Sequence, residues 1–379
     1  MQSYKISDYQ WIKRIFDWAD EFNIPNQVIP RNKEQLLSIT KIEINDMWAQ
    51  AEEYIQINYL PPEIGMLSNL VELYLWGHQL TELPESIGQL VNLEKLYLNN
   101  NKLHKIPESV GNLDKLTKLD ISSNTITGLP ETIRNLNQLT DLDIRKNRLT
   151  EVPSFISKLT NLKGLNVSEN MLSHLPSGIE QLTQLTELRI SSNQFAELPR
   201  CIENLANLLT LDVGHNQLTE LPDSIGQLQK LTSLYLDFNC IVKLPESIGY
   251  LKNLKSLTLN RNQLTDIPKN LGLLTNLTNI QICDNNIRDI PEHVGNLTHL
   301  QDLYLHSNKI TKLPNSLGKL ENLKILVVGN NKLTDLPDSI SMLKKLKWLN
   351  VQGNPLNQPS ETVKKFLESV SNNYPLEGE

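Results

Sequence analysis

LEKLYLNNNKLHKIPESVGNLDK, residues 93–115, is one of thirteen near-copies laid end to end. The shared unit is LxxLxLxxNxLxxLPxxIxxLxx. It begins at Leu70, Leu93, Leu116, Leu139, Leu162, Leu185, Leu208, Leu231, Leu254, Leu277, Leu300, Leu323 and Leu346, so every interval is 23 residues. A fixed period in this range, free of insertions, is the mark of a solenoid in which each unit packs only on its neighbours.

The spacing within the unit predicts its local structure. Leu96 and Leu98, two apart, share one face of a short strand, and the third, fifth and seventh positions point the other way. Strands of successive units then pair in parallel about 4.8 Å apart and stack the leucines into one core. The ninth position is asparagine in twelve of the thirteen units, Asn101 to Asn354. Its short amide both donates and accepts, which suits an internal ladder satisfying the backbone of its own turn and the adjacent one. Proline follows the fourteenth position from Pro84 to Pro337. It removes an N–H and fixes φ, so the outer segment is expected to be extended or a single helical turn.

The exception is His78, in LYLWGHQL (73–80). Upstream, IPRNKEQLLSITKIEI (29–44) supplies Ile39, Ile42 and Ile44 for an earlier strand, but Ile39 lies 31 residues before Leu70, eight more than the period. The surplus falls within DMWAQAEEYI (46–55), which replaces the asparagine turn. His78 therefore reads as an adapted first rung, with Trp76 and Gly77 expected against Trp48 or Tyr54; a ligand-binding Trp/His pair is the other reading.

Both ends look like caps. Residues 7–22 open with Ser7 and Gln10 in a capping-box spacing and set Trp11, Ile12, Ile15, Phe16, Trp18, Ala19 and Phe22 on one helical arc. Residues 359–370 offer Ser360 as N-cap and an apolar stripe of Val363, Phe366, Leu367 and Val370. The division is 1–38 for a helical cap and half-repeat, 39–69 for an irregular first repeat with insert, 70–356 for thirteen units (the last partial), and 357–379 for a capping helix with a loose tail.

The net charge of −7 and the absence of a dense Lys/Arg stripe argue against nucleic-acid or anionic-membrane partners. Without a signal-peptide pattern or a long apolar run, a cytoplasmic protein is expected, with export lacking a cleaved signal as the alternative. Cys201, Cys240 and Cys283 are too few and too far apart for a disulfide framework or a zinc site. The seven histidines are scattered, and the glycines recur singly on outer turns rather than in a phosphate loop. No nucleophile with a base, paired carboxylates or metal cluster emerges, so neither catalysis nor a cofactor is expected.

The repeat resembles the leucine-rich repeat family in its 23-residue LPxxIxxL form, over residues 29 to about 356. It is similar to intracellular Ras-group-related repeat proteins, to the repeats of Scribble and Erbin, and to bacterial leucine-rich repeat proteins. The resemblance implies an α/β right-handed solenoid, a horseshoe with a concave parallel β-sheet and short turns on its convex side. It also implies a protein partner on the concave sheet.

What varies on this uniform template is the outward column of the strands. There the apolar group Tyr304, Ile325, Val327 and Trp348, with Tyr235 and Phe238, is the candidate anchor, because aromatics on a rigid sheet bind at low entropy cost. Arg189, Asp212, Asp143 and Arg261 are candidates for polar selectivity around it. Two plainer accounts stand beside this: strand surfaces tolerate Tyr and Val for propensity alone, and the C-terminal segment could cover Trp348 and Val327. The expected function is a non-enzymatic, monomeric protein-interaction scaffold. A bacterial effector or virulence-associated factor acting on host proteins is the alternative, and an enzyme with an unrecognised site ranks last.

Overall fold

A computed structural model describes residues 8–44 and 56–371. The chain forms two compact units, Met1–Leu185 and Thr186–Glu379.

In the first unit, helix α1 spans Asp8–Glu21 and buries Trp11, Ile12, Ile15, Trp18 and Ala19, five of the seven residues on the expected arc. Ser7 lies outside the described residues. The helix is fixed to the first repeat: Trp18 Nε1 donates to the Tyr59 carbonyl at 3.1 Å, and Phe22 meets the Tyr59 ring edge-on at 5.5 Å. A second helix, α2 (Lys33–Ser38), stands where later units have tighter turns. The spacing did not predict it; Asn32 nucleates it by accepting from the N–H groups of Glu34 and Gln35.

Strand β1 (Lys41–Glu43) pairs in parallel with β2 (Glu72–Tyr74), and β3 (Lys95–Tyr97), β4 (Lys118–Asp120), β5 (Asp141–Asp143) and β6 (Gly164–Asn166) follow in chain order. The second unit repeats this with β7 (Glu187–Arg189), β8 (Thr210–Asp212), β9 (Ser233–Tyr235), β10 (Ser256–Thr258), β11 (Asn279–Gln281), β12 (Asp302–Tyr304), β13 (Ile325–Val327) and β14 (Trp348–Asn350). Register never slips: Leu234 lies opposite Leu211 and Leu257, so the leucine rows stay inside. Each unit is thus a solenoid of leucine-rich repeats, with a parallel sheet on one side and 3-10 turns on the other. The second ends in helix α3 (Glu361–Ser371), where Ser360 Oγ accepts from the Val363 N–H at 3.2 Å and Val363 is fully buried. Most of the tail lies beyond the described residues.

The asparagine ladder forms as expected. Asn239 donates from Nδ2 to the carbonyls of Val213 (3.0 Å) and Leu236 (3.1 Å) and accepts from the Leu218 N–H at 2.9 Å. His78 occupies the same place in the first rung. It is 2% exposed, and its Nε2 donates to the Ile44 carbonyl at 3.0 Å. Ile44 lies 34 residues back, where asparagine reaches 26; the eight-residue surplus accounts for the difference. The expected packing on Trp48 or Tyr54 concerns residues outside the described ones.

Two further periodic devices hold the stack. Most outer turns follow their proline as a 3-10 helix such as Glu246–Tyr250, and where that helix holds a glycine it lets the next turn come close. A Cβ on Gly249 would lie 2.5 Å from the Asn270 carbonyl oxygen. At the eighth position the backbone turns left-handed in repeat after repeat, with φ of 58° at Asn100, 55° at Phe238 and 53° at Arg261. The conformation is held from outside: the Phe238 N–H donates to the Asn260 carbonyl at 2.8 Å and that of Arg261 to Cys283 at 2.9 Å, extending the sheet's ladder past the strand.

Candidate protein-binding surface

In the second unit the outward columns of β7 to β14 carry most of the residues singled out in the sequence, while Phe238 and Arg261 lie just past β9 and β10 and Asp143 lies on β5 of the first unit. Arg189 is engaged by Glu187 on its own strand. Asp212 accepts from the Ser191 hydroxyl at 3.0 Å and the Gly214 N–H at 3.1 Å. Tyr235 sits beside Asp212 in register and is half-buried. Tyr304, Ile325, Val327 and Trp348 fall on three adjacent strands, with Tyr304 opposite Val327 and Ile325 opposite Trp348. Trp348 is 41% exposed.

The structure divides the anchor group into three. Between Tyr235 and Tyr304 lie Thr258 and Gln281, joined to a polar network absent from the sequence reading. Thr258 donates to Asp237, the Asn260 N–H donates to Asp237 at 2.8 Å, and Asn260 Oδ1 accepts from the Cys283 N–H at 2.8 Å. Burial pushes the Cys283 thiol up to about 12, so it stays protonated and unreactive at neutral pH.

Phe238 belongs to a third place, the rim formed by the left-handed eighth positions. Its ring stacks on His215 at 3.9 Å and 15°, the Arg261 guanidinium lies 4.8 Å from its centre, and Arg261 in turn approaches Asp284 at 3.5 Å. Four successive rungs thus contribute one ladder. Reading the eighth column downward (His215, Phe238, Arg261, Asp284) would have found it.

The sheet face of the first unit is largely self-satisfied. Tyr74 and Tyr97 stack at 4.9 Å, Lys95 pairs with Glu72 at 2.7 Å, and Lys41 lies over the Tyr74 ring at 5.0 Å. Burial, with a smaller contribution from neighbouring Asp120, pushes the Asp143 carboxyl up to about 6 although the Arg145 N–H donates to it.

Among the described residues, no group of three or more His, Cys, Asp or Glu side chains is placed to hold a metal ion, and no helix is long and apolar enough to cross a membrane.

Comparison with known proteins agrees with this architecture. The family model for the leucine-rich repeat region matches residues 108–194, 188–291 and 279–368, and a second leucine-rich repeat model matches 68–126. No curated protein matches the chain. Among solved structures, a leucine-rich repeat protein of Leptospira interrogans is 34% identical, with a TM-score of 0.83 over 99% of this chain and 98% of its own. An internalin of Listeria monocytogenes is 26% identical, with a TM-score of 0.78 over 89% of this chain and 96% of its own. A plant peptide hormone receptor, solved in complex with RGF2, is 27% identical, with a TM-score of 0.62 over 85% of this chain and 60% of its own. The fold is commonly a protein-interaction module. With its period, its asparagine ladder and these matches, the chain belongs to the leucine-rich repeat family.

Proposed function

We propose that the chain is a non-enzymatic, monomeric interaction scaffold that binds a protein partner on the sheet face of its second unit. The observation that carries this is the row Tyr304, Ile325, Val327 and Trp348: apolar side chains on three adjacent strands whose opposite face is locked into the leucine core. Such side chains lose little entropy on binding, and a contiguous apolar patch on a rigid sheet is where a partner gains most. The likeness to a receptor solved with its ligand supports the reading.

A second reading, a bacterial factor that leaves the cell without a cleaved signal and acts on host proteins, shares this mechanism and differs in location. The bacterial origin of two of the similar structures favours it. Fractionation of the source cells separates it from a cytoplasmic scaffold.

The test is affinity capture from source-cell and host lysates with wild type beside a folded Tyr235→Ala/Tyr304→Ala/Trp348→Ala variant. A protein held by wild type and lost by the variant supports the reading. Equal capture by both overturns it.

A further inference from the structure

Among the described residues, the sheet face of the second unit holds three carboxylates, Asp212, Asp237 and Asp302, that make no ion pair. Asp212 and Asp237 accept only from neutral donors: the Ser191 hydroxyl and Gly214 N–H for one, the Thr258 hydroxyl and Asn260 N–H for the other. Arg189, in register with Asp212 on the neighbouring strand, is engaged by Glu187 on its own strand, and Arg261 is engaged by Asp284. Asp302, two residues before Tyr304 on β12 and on the same face, likewise has no ion pair among the described residues.

Each uncompensated carboxylate adjoins a tyrosine. Tyr235 stands in register with Asp212 and two residues before Asp237, and Tyr304 stands beside Asp302. The pairing of a fixed carboxylate with a half-exposed ring suits a lysine or arginine side chain. Its methylene stem lies along the ring while its head meets the carboxylate, which still has free lone pairs. The neutral donors add to the fit, because they hold Asp212 and Asp237 in place without cancelling their charge.

The two sites lie three strands apart, from β9 to β12, which at the spacing of paired strands is about 14 Å. An extended chain covers that distance in about four residues. Resting on the protein-binding reading above, we infer that this face takes an extended basic segment of its partner. That segment runs across the strands, with one cationic side chain at Tyr235, flanked by Asp212 and Asp237, and a second four residues on at Tyr304 and Asp302. The next residues of the segment then reach the apolar row of Ile325, Val327 and Trp348.

Fluorescence anisotropy tests this with three labelled peptides in one Gly/Ser host: Lys at i and i+4, Lys at i and i+1, and Glu at i and i+4. The inference expects the first to bind wild type most tightly and to weaken as salt rises, because exposed charge pairs are screened. Asp212→Asn/Asp237→Asn removes the charge and keeps one acceptor oxygen at each site, with the new amide NH2 facing the Ser191 or Thr258 hydroxyl, which can turn to accept; with an unchanged melting temperature it should bind the first peptide about tenfold more weakly. Equal binding of the Lys and Glu peptides, or full affinity in the Asn variant, overturns the inference. Partner capture that survives the Asn substitutions and fails in the Tyr235/Tyr304/Trp348 variant would leave the binding face standing and remove only the basic partner.

Discussion

His78 donates from Nε2 to the carbonyl of Ile44, across the eight-residue surplus that separates the first rung from the regular array. The imidazole stands where later rungs carry an asparagine amide, and it reaches a carbonyl 34 residues back where asparagine reaches 26. His78→Ala strands a buried carbonyl and should cost about 1–3 kcal/mol. His78→Asn, the residue the repeat uses elsewhere, should cost less and leave partner capture unchanged. Urea midpoints of the three proteins check the order.

Within the regular ladder, Asn239 has no such latitude. Alanine there removes three donated bonds, to Val213, Leu236 and Asp237, and one accepted bond from Leu218 at once. Asn239→Ala should lower stability by about 2 kcal/mol or more, read as a fall in urea midpoint with an unchanged slope.

The glycines of the repeats divide into two kinds. A methyl group on Gly249 would meet the Asn270 carbonyl oxygen at 2.5 Å, whereas one on Gly128 would meet nothing within 4 Å. Gly249→Ala should therefore destabilise by about 1–3 kcal/mol through overpacking. Gly128→Ala should be neutral or stabilise by up to about 1 kcal/mol by restricting the unfolded chain. Thermal melts of the pair read the contrast.

Asp143 makes a prediction about pH. Burial raises its carboxyl from 3.8 to about 6, so between those values the folded protein holds a proton that the unfolded chain has released. Its contribution to stability is therefore full below about pH 4 and is lost as pH rises through about 6. Asp143→Asn should flatten that part of the stability profile and gain about 2 kcal/mol at pH 7 relative to its effect at pH 4. Denaturant melts at both pH values measure it.

The leucine rows and the asparagine column made the fold legible, because a residue fixed by a buried geometric need recurs at a constant interval. The turn prolines and the apolar stripe of α3 were legible for the same reason. Helix α2 was not: its single buried residue, Leu36, leaves no period to see. Nor was the left-handed eighth position, because its occupants share no chemistry; neighbouring rungs impose the angle. The candidate surface was half legible. Column five named Tyr235, Tyr304 and Val327 correctly as outward-facing. The network from Asp237 to Cys283 depends on which way short polar side chains turn between rungs, and no single strand reports that.

A left-handed backbone angle ordinarily restricts a site to glycine or asparagine and costs other residues about 1–2 kcal/mol. Here Ser123, Lys146, Glu169, His215, Phe238, Arg261 and Asp284 all adopt it, with φ between 52° and 55°. The strain is thus a constant toll of the architecture and independent of spelling. From the second regular repeat on, the array offers one letter per rung at the edge of the sheet that can be rewritten without redrawing the backbone beneath it. Recognition along that edge can therefore drift, or be engineered, one character at a time while the scaffold stays the same.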